Sequence, residues 1–108
     1  MPDFVAVFTT TDDHAVADAI ATAVIERREA ACARISRAES VYRWDGEIRR
    51  TEEFVVEIKT TAAASPAVER TIRRLHAYDL PEILVLPIIG GSESYLAWLA
   101  AEVGEANA

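Results

Sequence analysis

The residues best suited to chemistry lie in the stretch LHAYDLPEI, which holds one of the two histidines of the chain. His76, Tyr78 and Glu82 are close enough in sequence to converge on one ligand. An imidazole, a phenol and a carboxylate can bind a divalent metal ion or move a proton. The residues one helical turn before His76 are Arg73 and Ile72, so the helix offers no local chelate. Two interpretations follow: a ligand or catalytic histidine, or a histidine at a helix C-terminus that hydrogen-bonds a carbonyl group.

The single cysteine is the second candidate metal ligand. Cys32 follows two alanines in the stretch EAACARI, where a small buried core residue is the structural alternative. A thiolate with the imidazole of His76 would suit copper or zinc, but two ligands make a weak site. Further donors such as Glu82, or ligands from a neighbouring subunit, are therefore needed. His14 follows two aspartates and is either a surface metal ligand or part of a solvated helix start.

Residues on two predicted strands, together with Tyr78, are candidates for the lining of a cleft between subunits. Glu53, Glu57 and Lys59 alternate along one predicted strand and so share a face, where they form either a polar cleft or a solvated or subunit-facing strip. Tyr42 and Trp44 share a face of the preceding strand. They either stack on a ligand or contact another subunit, since aromatic residues are enriched at interfaces.

Charge and missing motifs exclude several classes of function. The formal net charge of −7 argues against nucleic acid or an anionic membrane as partner. The acidic surplus serves either solubility or the attraction of cations. The sequence has no G-x-G-x-x-G, P-loop, nucleophile elbow or C-x-x-C motif. An enzyme with His76 as general base is thus the least favoured interpretation, and we predict a non-enzymatic protein.

Length and composition predict one domain over residues 1–108, with a frayed tail at 103–108. One cysteine cannot form an internal disulfide, which suits a reducing compartment. The N-terminus lacks a basic region, and no apolar run reaches the roughly 18 residues of a membrane span. We therefore expect a cytoplasmic protein.

The first half of the chain predicts a strand, a helix and a second strand. The strand DFVAVFTTT is apolar on both faces and should be central. Asp12 or Asp13 caps the helix, and Arg27 and Arg28 fall in its last turn. The second strand begins at AACARIS and is expected to break near Ser36–Glu39.

The second half predicts a hairpin, a helix, a strand and a last helix. Asp45 and Gly46 form a strong hairpin signal, with arms of about 30 residues together, long for a small domain. Ser65 caps the second helix, with Pro66 in its first position. Ser92 caps the last helix. Its predicted inward residues are Tyr95, Leu96, Trp98, Leu99 and Val103.

The order β-α-β-β-α-β-α predicts an α+β fold: a ferredoxin-like sandwich with an antiparallel sheet, both long helices on one face, and an added C-terminal helix. The first and last strands are apolar on both faces, although a half-solvated antiparallel strand should alternate. The last helix is too short to cover the open face. We therefore predict an obligate homo-oligomer.

Six stretches, in this order and spacing, resemble the CutA family of divalent-cation tolerance proteins. They are FTTTDD, REAACARI, SVYRWDGEI, EEFVVEIKTT, LHAYDLPEILVLPI and GSESYLAWL, and the resemblance covers residues 4 to about 103. It implies a homotrimer akin to the PII signalling proteins, in which the long hairpin reaches over a neighbour and extends its sheet. It also implies tolerance of divalent cations, copper especially, through Cys32 and His76, with Cu(II) or another divalent cation bound at low affinity.

The resemblance leaves a second function open: a PII-like signalling or scaffold trimer that binds a small anionic ligand or a partner protein in clefts between subunits. Lys59 would then neutralise the ligand. The sequence departs from the family pattern at Ala77, where proline is usual, and at Glu29, where leucine is usual. Thr9 stands where some members have a further cysteine, which removes a soft ligand.

Overall fold

A computed structural model describes residues 3–104, which form four strands and three helices. Their bounds, in chain order, are β1 Phe4–Thr11, α1 His14–Glu26, β2 Cys32–Trp44, β3 Glu47–Thr61, α2 Ser65–Leu75, β4 Leu84–Ile88 and α3 Glu93–Glu102. The strands form one sheet in the order β2-β3-β1-β4 with antiparallel neighbours. The predicted α+β class, the element order and the central position of β1 are confirmed.

The core lies between the sheet and the two long helices. Val5 and Val7 on β1 are buried on the helix side, whereas Phe4, Ala6 and Phe8 on the opposite, open face are half-buried. This is the alternation expected of a strand with unequal faces. The helices and the neighbouring strand complete the core with Ala17, Ile20, Val24, Val56, Ile58, Val68 and Ile72.

Helix ends confirm two predicted caps and correct two other predictions. Asp13 caps α1 by accepting a hydrogen bond from the Ala15 N–H at 2.9 Å, and Ser92 caps α3. Arg27 is the C-cap of α1 and Arg28 follows it, so neither lies in the last turn as predicted. Ser65 is the first residue of α2 rather than its cap, because its hydroxyl donates to a carbonyl of the preceding turn instead of accepting from the helix.

The hairpin is as long as predicted and more regular, with strands of 13 and 15 residues. β2 is continuous from Cys32 to Trp44, so the expected break near Ser36–Glu39 is wrong: the partner strand β3 pairs with β2 throughout. The pairing of β1 with β3 ends where Thr11 faces Phe54. The hairpin beyond that point is a two-stranded ribbon, residues 38–53, without a third strand of the described sheet beside it. Asp45 and Gly46 both have positive φ, as a tight two-residue turn requires.

Helix α3 lies against β3 and covers part of the open face, with Leu99 fully buried. Two of its predicted inward residues, Tyr95 and Trp98, are exposed, because a helix this short contacts the sheet along a narrow stripe. No helix within residues 3–104 is long and apolar enough to cross a membrane. Of the predicted frayed tail, residues 105–108 lie outside the described residues.

The two isoleucines of α1 test this core. Ile20→Ala should lower the free energy of unfolding by about 2–5 kcal/mol, because the fully buried side chain leaves a cavity. Ile25→Ala on the exposed side of the same helix is the control and should cost about 1 kcal/mol or less. Chemical denaturation measures both. Equal losses would contradict the assigned core face.

Candidate functional site

His76 joins three parts of the chain at one corner. It is the C-cap of α2, and its ring nitrogen Nε2 lies 2.7 Å from the carbonyl oxygen of Thr10 at the end of β1. Its other nitrogen, Nδ1, accepts a hydrogen bond from the Tyr78 N–H at 3.1 Å. The imidazole therefore ties the end of a helix, the end of a strand and the following loop together. Hydrogen bonding to a carbonyl, one of the two interpretations of this histidine, is confirmed.

These two hydrogen bonds fix the tautomer of His76. Because Nδ1 accepts from the Tyr78 N–H, the ring proton lies on Nε2, which donates it to the Thr10 carbonyl. Both nitrogens are thus engaged with backbone groups. A metal ion could bind this ring only in exchange for one of the two hydrogen bonds.

The loop that His76 holds carries a phenol towards a buried carboxylate. The Tyr78 hydroxyl donates to Glu53 Oε2 at 3.2 Å, and Glu53 on β3 is only 8% exposed. Burial, followed by the negative charges of Asp12 and Glu53, raises the pKa of Tyr78 to about 12. The phenol therefore stays protonated at neutral pH and acts as a hydrogen-bond donor.

A cleft of about 710 Å³ lies between this loop and the start of the ribbon. The carboxylates that line it are Asp12, Glu53, Asp79 and Glu82, and Arg49 is the cationic residue among its lining residues. Tyr42, Trp44 and Tyr78 form aromatic parts of its wall, and the Tyr42 hydroxyl lies 2.8 Å from the Thr51 hydroxyl. Of the five residues predicted for a cleft between subunits, Tyr42, Trp44, Glu53 and Tyr78 line this cleft of one chain, together with Glu82. Their location between subunits stays a prediction. The cleft is strongly acidic and so favours cations.

Lys59, the fifth residue predicted for the cleft, lies elsewhere. It is opposite Ala6 on one side and Cys32 on the other, at the far end of the sheet. Its ammonium lies 3.7 Å from Glu57 Oε2 and 5.9 Å from the centre of the Tyr95 ring. It is thus a half-buried, paired cation beneath α3.

The structure also separates the proposed metal ligands within one chain. Cys32 lies level with Ala6 on β1, whereas His76 contacts Thr10, four positions along the same strand. That offset alone is about 13 Å at 3.3 Å per residue. Glu82 lines the cleft, at the His76 end. Across residues 3–104, no three His, Cys, Asp or Glu side chains are grouped so that they could hold a metal ion.

Several functional features were missed by the sequence reasoning. Asp12 and Asp79 line the cleft although neither was singled out as a cleft residue. Glu29 is 3% exposed and accepts from the Thr71 hydroxyl at 2.6 Å. The sequence signal that could have found this residue was a glutamate at a position where leucine was expected. His14 is exposed at the start of α1, with its ring edge-on to Phe54 at 5.1 Å.

The fold and the cleft define a class: an α+β protein with a four-stranded antiparallel sheet and an acidic cleft beside a protruding ribbon. The chain belongs to the CutA1 divalent ion tolerance protein family, whose model matches residues 5–102. It is 40% identical over 99 residues to the divalent-cation tolerance protein CutA of Thermus thermophilus, covering 91% of this chain and 96% of that protein. It is 36% identical over 102 residues to the corresponding protein of Pectobacterium atrosepticum, covering 94% and 93%.

Solved structures of the family share this architecture. The divalent cation tolerance protein Cut A1 from Thermus thermophilus superimposes with a TM-score of 0.88 at 39% identity, covering 94% of this chain and 99% of that one. CutA1 from Shewanella sp. SIB1 gives 0.89 at 38% identity, covering 94% and 95%. The fold and the divalent-cation tolerance family are thereby established together.

The raised pKa of Tyr78 can be measured by tyrosinate absorbance. Tyr78 should deprotonate near pH 12, and Tyr78→Phe should remove this late step. Glu53→Gln should move the step towards 10.0, though not fully, because burial remains the largest cause. Since folding raises this pKa, the stability it contributes is present below pH 10 and is lost between 10 and 12.

Tyr42→Phe is the control for this titration, because that phenol lies exposed on the ribbon and its loss should leave the late step in place. Release of all three phenolic protons in one step near pH 10 would contradict the assigned environment of Tyr78.

Proposed function

We propose that this protein binds divalent metal ions, copper(II) among them, with low affinity in the acidic cleft. The observation that carries the proposal is the convergence of Asp12, Glu53, Asp79 and Glu82 on one cavity. Four carboxylates against one guanidinium attract a divalent cation. Within residues 3–104 of one chain they are too far apart for three of them to hold one ion, so we propose that donors from a neighbouring subunit complete the site. The membership of the CutA1 family supports the same class of ligand.

Cys32 and His76 are the proposed soft and borderline donors. Because they lie at opposite ends of the sheet in one chain, we propose that they meet one ion only across a subunit boundary. His76 would then exchange its hydrogen bond to Thr10 or to Tyr78 for the metal. Glu82, exposed on the wall of the cleft, needs no such exchange and is the proposed oxygen ligand.

We propose binding rather than catalysis. A general base needs a free nitrogen lone pair directed at the substrate, and the Nδ1 lone pair of His76 already accepts from the Tyr78 N–H. Tyr78, with a pKa of about 12, is poorly matched to proton transfer near neutral pH. A cytoplasmic location is proposed on the free thiol of Cys32, which suits a reducing compartment.

The alternative, a PII-like trimer with an anionic ligand in this cleft, fits the charges less well. Its proposed counter-ion, Lys59, pairs with Glu57 at the other end of the sheet. Arg49, the cation lining the cleft, lies 3.5 Å from Glu47. An anion entering the cleft would therefore meet uncompensated carboxylates.

We further propose that the chain assembles as a homotrimer. The ribbon exposes Val41, Trp44 and Ile48, and an isolated two-stranded hairpin is at best marginally stable in water. The edge strand β4 exposes Leu84 and Leu86, with an unpaired backbone edge beside them. If the ribbon of one subunit extended the sheet of its neighbour, the apolar side chains of the ribbon and the edge of β4 would both be covered.

Copper(II) titration calorimetry tests the metal site. Glu82→Gln should weaken Cu(II) binding about tenfold, because it removes one charged oxygen donor without changing the size of the side chain. Glu52→Gln is the matched control: this exposed glutamate lies on β3 outside the residues that line the cleft, and its loss should leave the affinity unchanged.

The same titration separates the other two ligands. Cys32→Ser and His76→Ala should each weaken Cu(II) binding in the assembled protein. If all three variants bind Cu(II) as tightly as the wild type, neither these residues nor the cleft forms the metal site.

Sedimentation equilibrium tests the assembly. The wild type should sediment as a trimer at micromolar concentration, and Trp44→Glu should dissociate it, because a charge cannot be buried in an apolar contact without a partner. Ile25→Glu, which changes an exposed residue on the helix layer, is the control and should remain trimeric. A wild type that sediments as a folded monomer would overturn the proposal.

A further inference from the structure

A second pocket lies on the helix layer, on the other side of the sheet from the acidic cleft. It has a volume of about 370 Å³ and lies between the end of α1 and the outer side of α2. The residues that line it are Arg27, Glu29, Ala67, Arg70, Thr71 and Arg74. Three of the eleven lysines and arginines of this acidic chain thus surround one small pocket, which we call the arginine pocket.

A buried carboxylate forms the floor of the arginine pocket. Glu29 accepts from the Thr71 hydroxyl through Oε1 at 2.6 Å and from Arg27 Nε through Oε2 at 2.9 Å. The backbone carbonyl of Glu29 accepts from the Thr60 hydroxyl at 2.6 Å, which fixes this residue to β3. The guanidinium of Arg27 is therefore held in place through Nε, while its two terminal nitrogens are left for other acceptors.

The remaining arginines have no such partner. Arg70 and Arg74 lie one turn apart on α2, an arrangement in which like charges repel each other. Within residues 3–104 neither forms an ion pair, whereas Arg73 between them pairs with Glu69 at 3.1 Å. The negative end of the α2 dipole accounts for Arg74 in the last turn but not for Arg70. Three guanidinium charges against the one carboxylate leave two positive charges uncompensated.

We propose that the arginine pocket binds a small anion of the phosphate class, either a phosphate monoester or a diphosphate. The planar guanidinium fork matches a phosphate group with two parallel hydrogen bonds, and the two uncompensated charges match a dianion. The volume of the pocket falls within the range of small-ligand sites and leaves room for a substituent beyond one phosphate. Arg70, Arg74 and the terminal nitrogens of Arg27 hold the anion, and the negative charge of Glu29 opposes its binding.

The cation site and the anion site are separate in this arrangement. The acidic cleft lies beside Glu53, at the end of the sheet next to the ribbon. The arginine pocket lies on the helix layer, where Thr71 on α2 contacts Glu29. The anion site does not depend on the proposed metal binding, so either can fail while the other stands.

Titration calorimetry with pyrophosphate, inorganic phosphate and glycerol 3-phosphate, at constant ionic strength, tests this inference. The wild type should bind pyrophosphate saturably, and the double variant Arg70→Gln/Arg74→Gln should bind it at least about tenfold more weakly. Both side chains are exposed, so the variant should fold, and its circular dichroism should match the wild type. Glycerol 3-phosphate binding as tightly as pyrophosphate would identify the monoester as the ligand class, and weaker binding would identify the diphosphate.

Arg73→Gln is the matched control, since it removes the same charge from the same helix turn but from outside the pocket. It should leave pyrophosphate affinity unchanged. Equal weakening by Arg73→Gln would show that general surface charge, rather than a built pocket, attracts the anion. That result, or a wild type without saturable binding of any of the three anions at millimolar concentration, would overturn the proposal.

A further variant should tighten binding of the anion rather than weaken it. Glu29→Gln removes the internal negative charge while keeping an oxygen for the Thr71 hydroxyl. Pyrophosphate binding should then tighten several-fold, because Arg27 loses its competing carboxylate. If this buried substitution prevents folding, the arginine variants alone decide the question.

Discussion

The imidazole of His76, hydrogen-bonded between the Thr10 carbonyl and the Tyr78 N–H, is the contact on which the site depends. Helix α2 ends there, and the chain must turn towards β4 with its backbone groups satisfied. The imidazole satisfies one backbone carbonyl at the end of β1 and one backbone N–H in the loop after α2. These two hydrogen bonds fix the direction of that loop. That direction brings the Tyr78 hydroxyl to the buried Glu53 and places Glu82 on the wall of the cleft.

The two layers of the molecule carry pockets of opposite charge. The open face has the acidic cleft at one end and α3 at the other, whereas the helix layer has the arginine pocket. A net charge of −7 averages over these regions and so conceals the basic one. The ribbon and β4 expose apolar side chains at the two outer parts of the sheet. This distribution is that of a protein whose surface is completed by further copies, which is the basis of the proposed trimer.

Local patterns identified most of the fold. Alternation along FVAVFTTT predicted which residues of β1 share a face, because the side-chain period of a strand is two, but with both faces apolar it did not show which face the helices cover. Asp45 and Gly46 predicted the turn, because its two positive φ angles favour these residue types. Tyr42, Trp44, Glu53 and Tyr78, which were assigned to one cleft, line one pocket of the chain. Their location between subunits stays a prediction, because local patterns do not encode contacts between separate chains.

The sequence by itself therefore determined the elements, their faces and the residues around the His76 corner, since periodicity and turn chemistry act over a few residues. Only the tertiary structure decided which end of the sheet each side chain occupies. It separated Cys32 and Lys59 from the cleft, because the register of β2 and β3 sets positions along a strand that alternation leaves open. It also brought Thr71 to Glu29 and left Trp98 exposed on α3. Those contacts depend on how the helices pack on the sheet. That packing cannot be predicted from the type and spacing of neighbouring residues in the sequence.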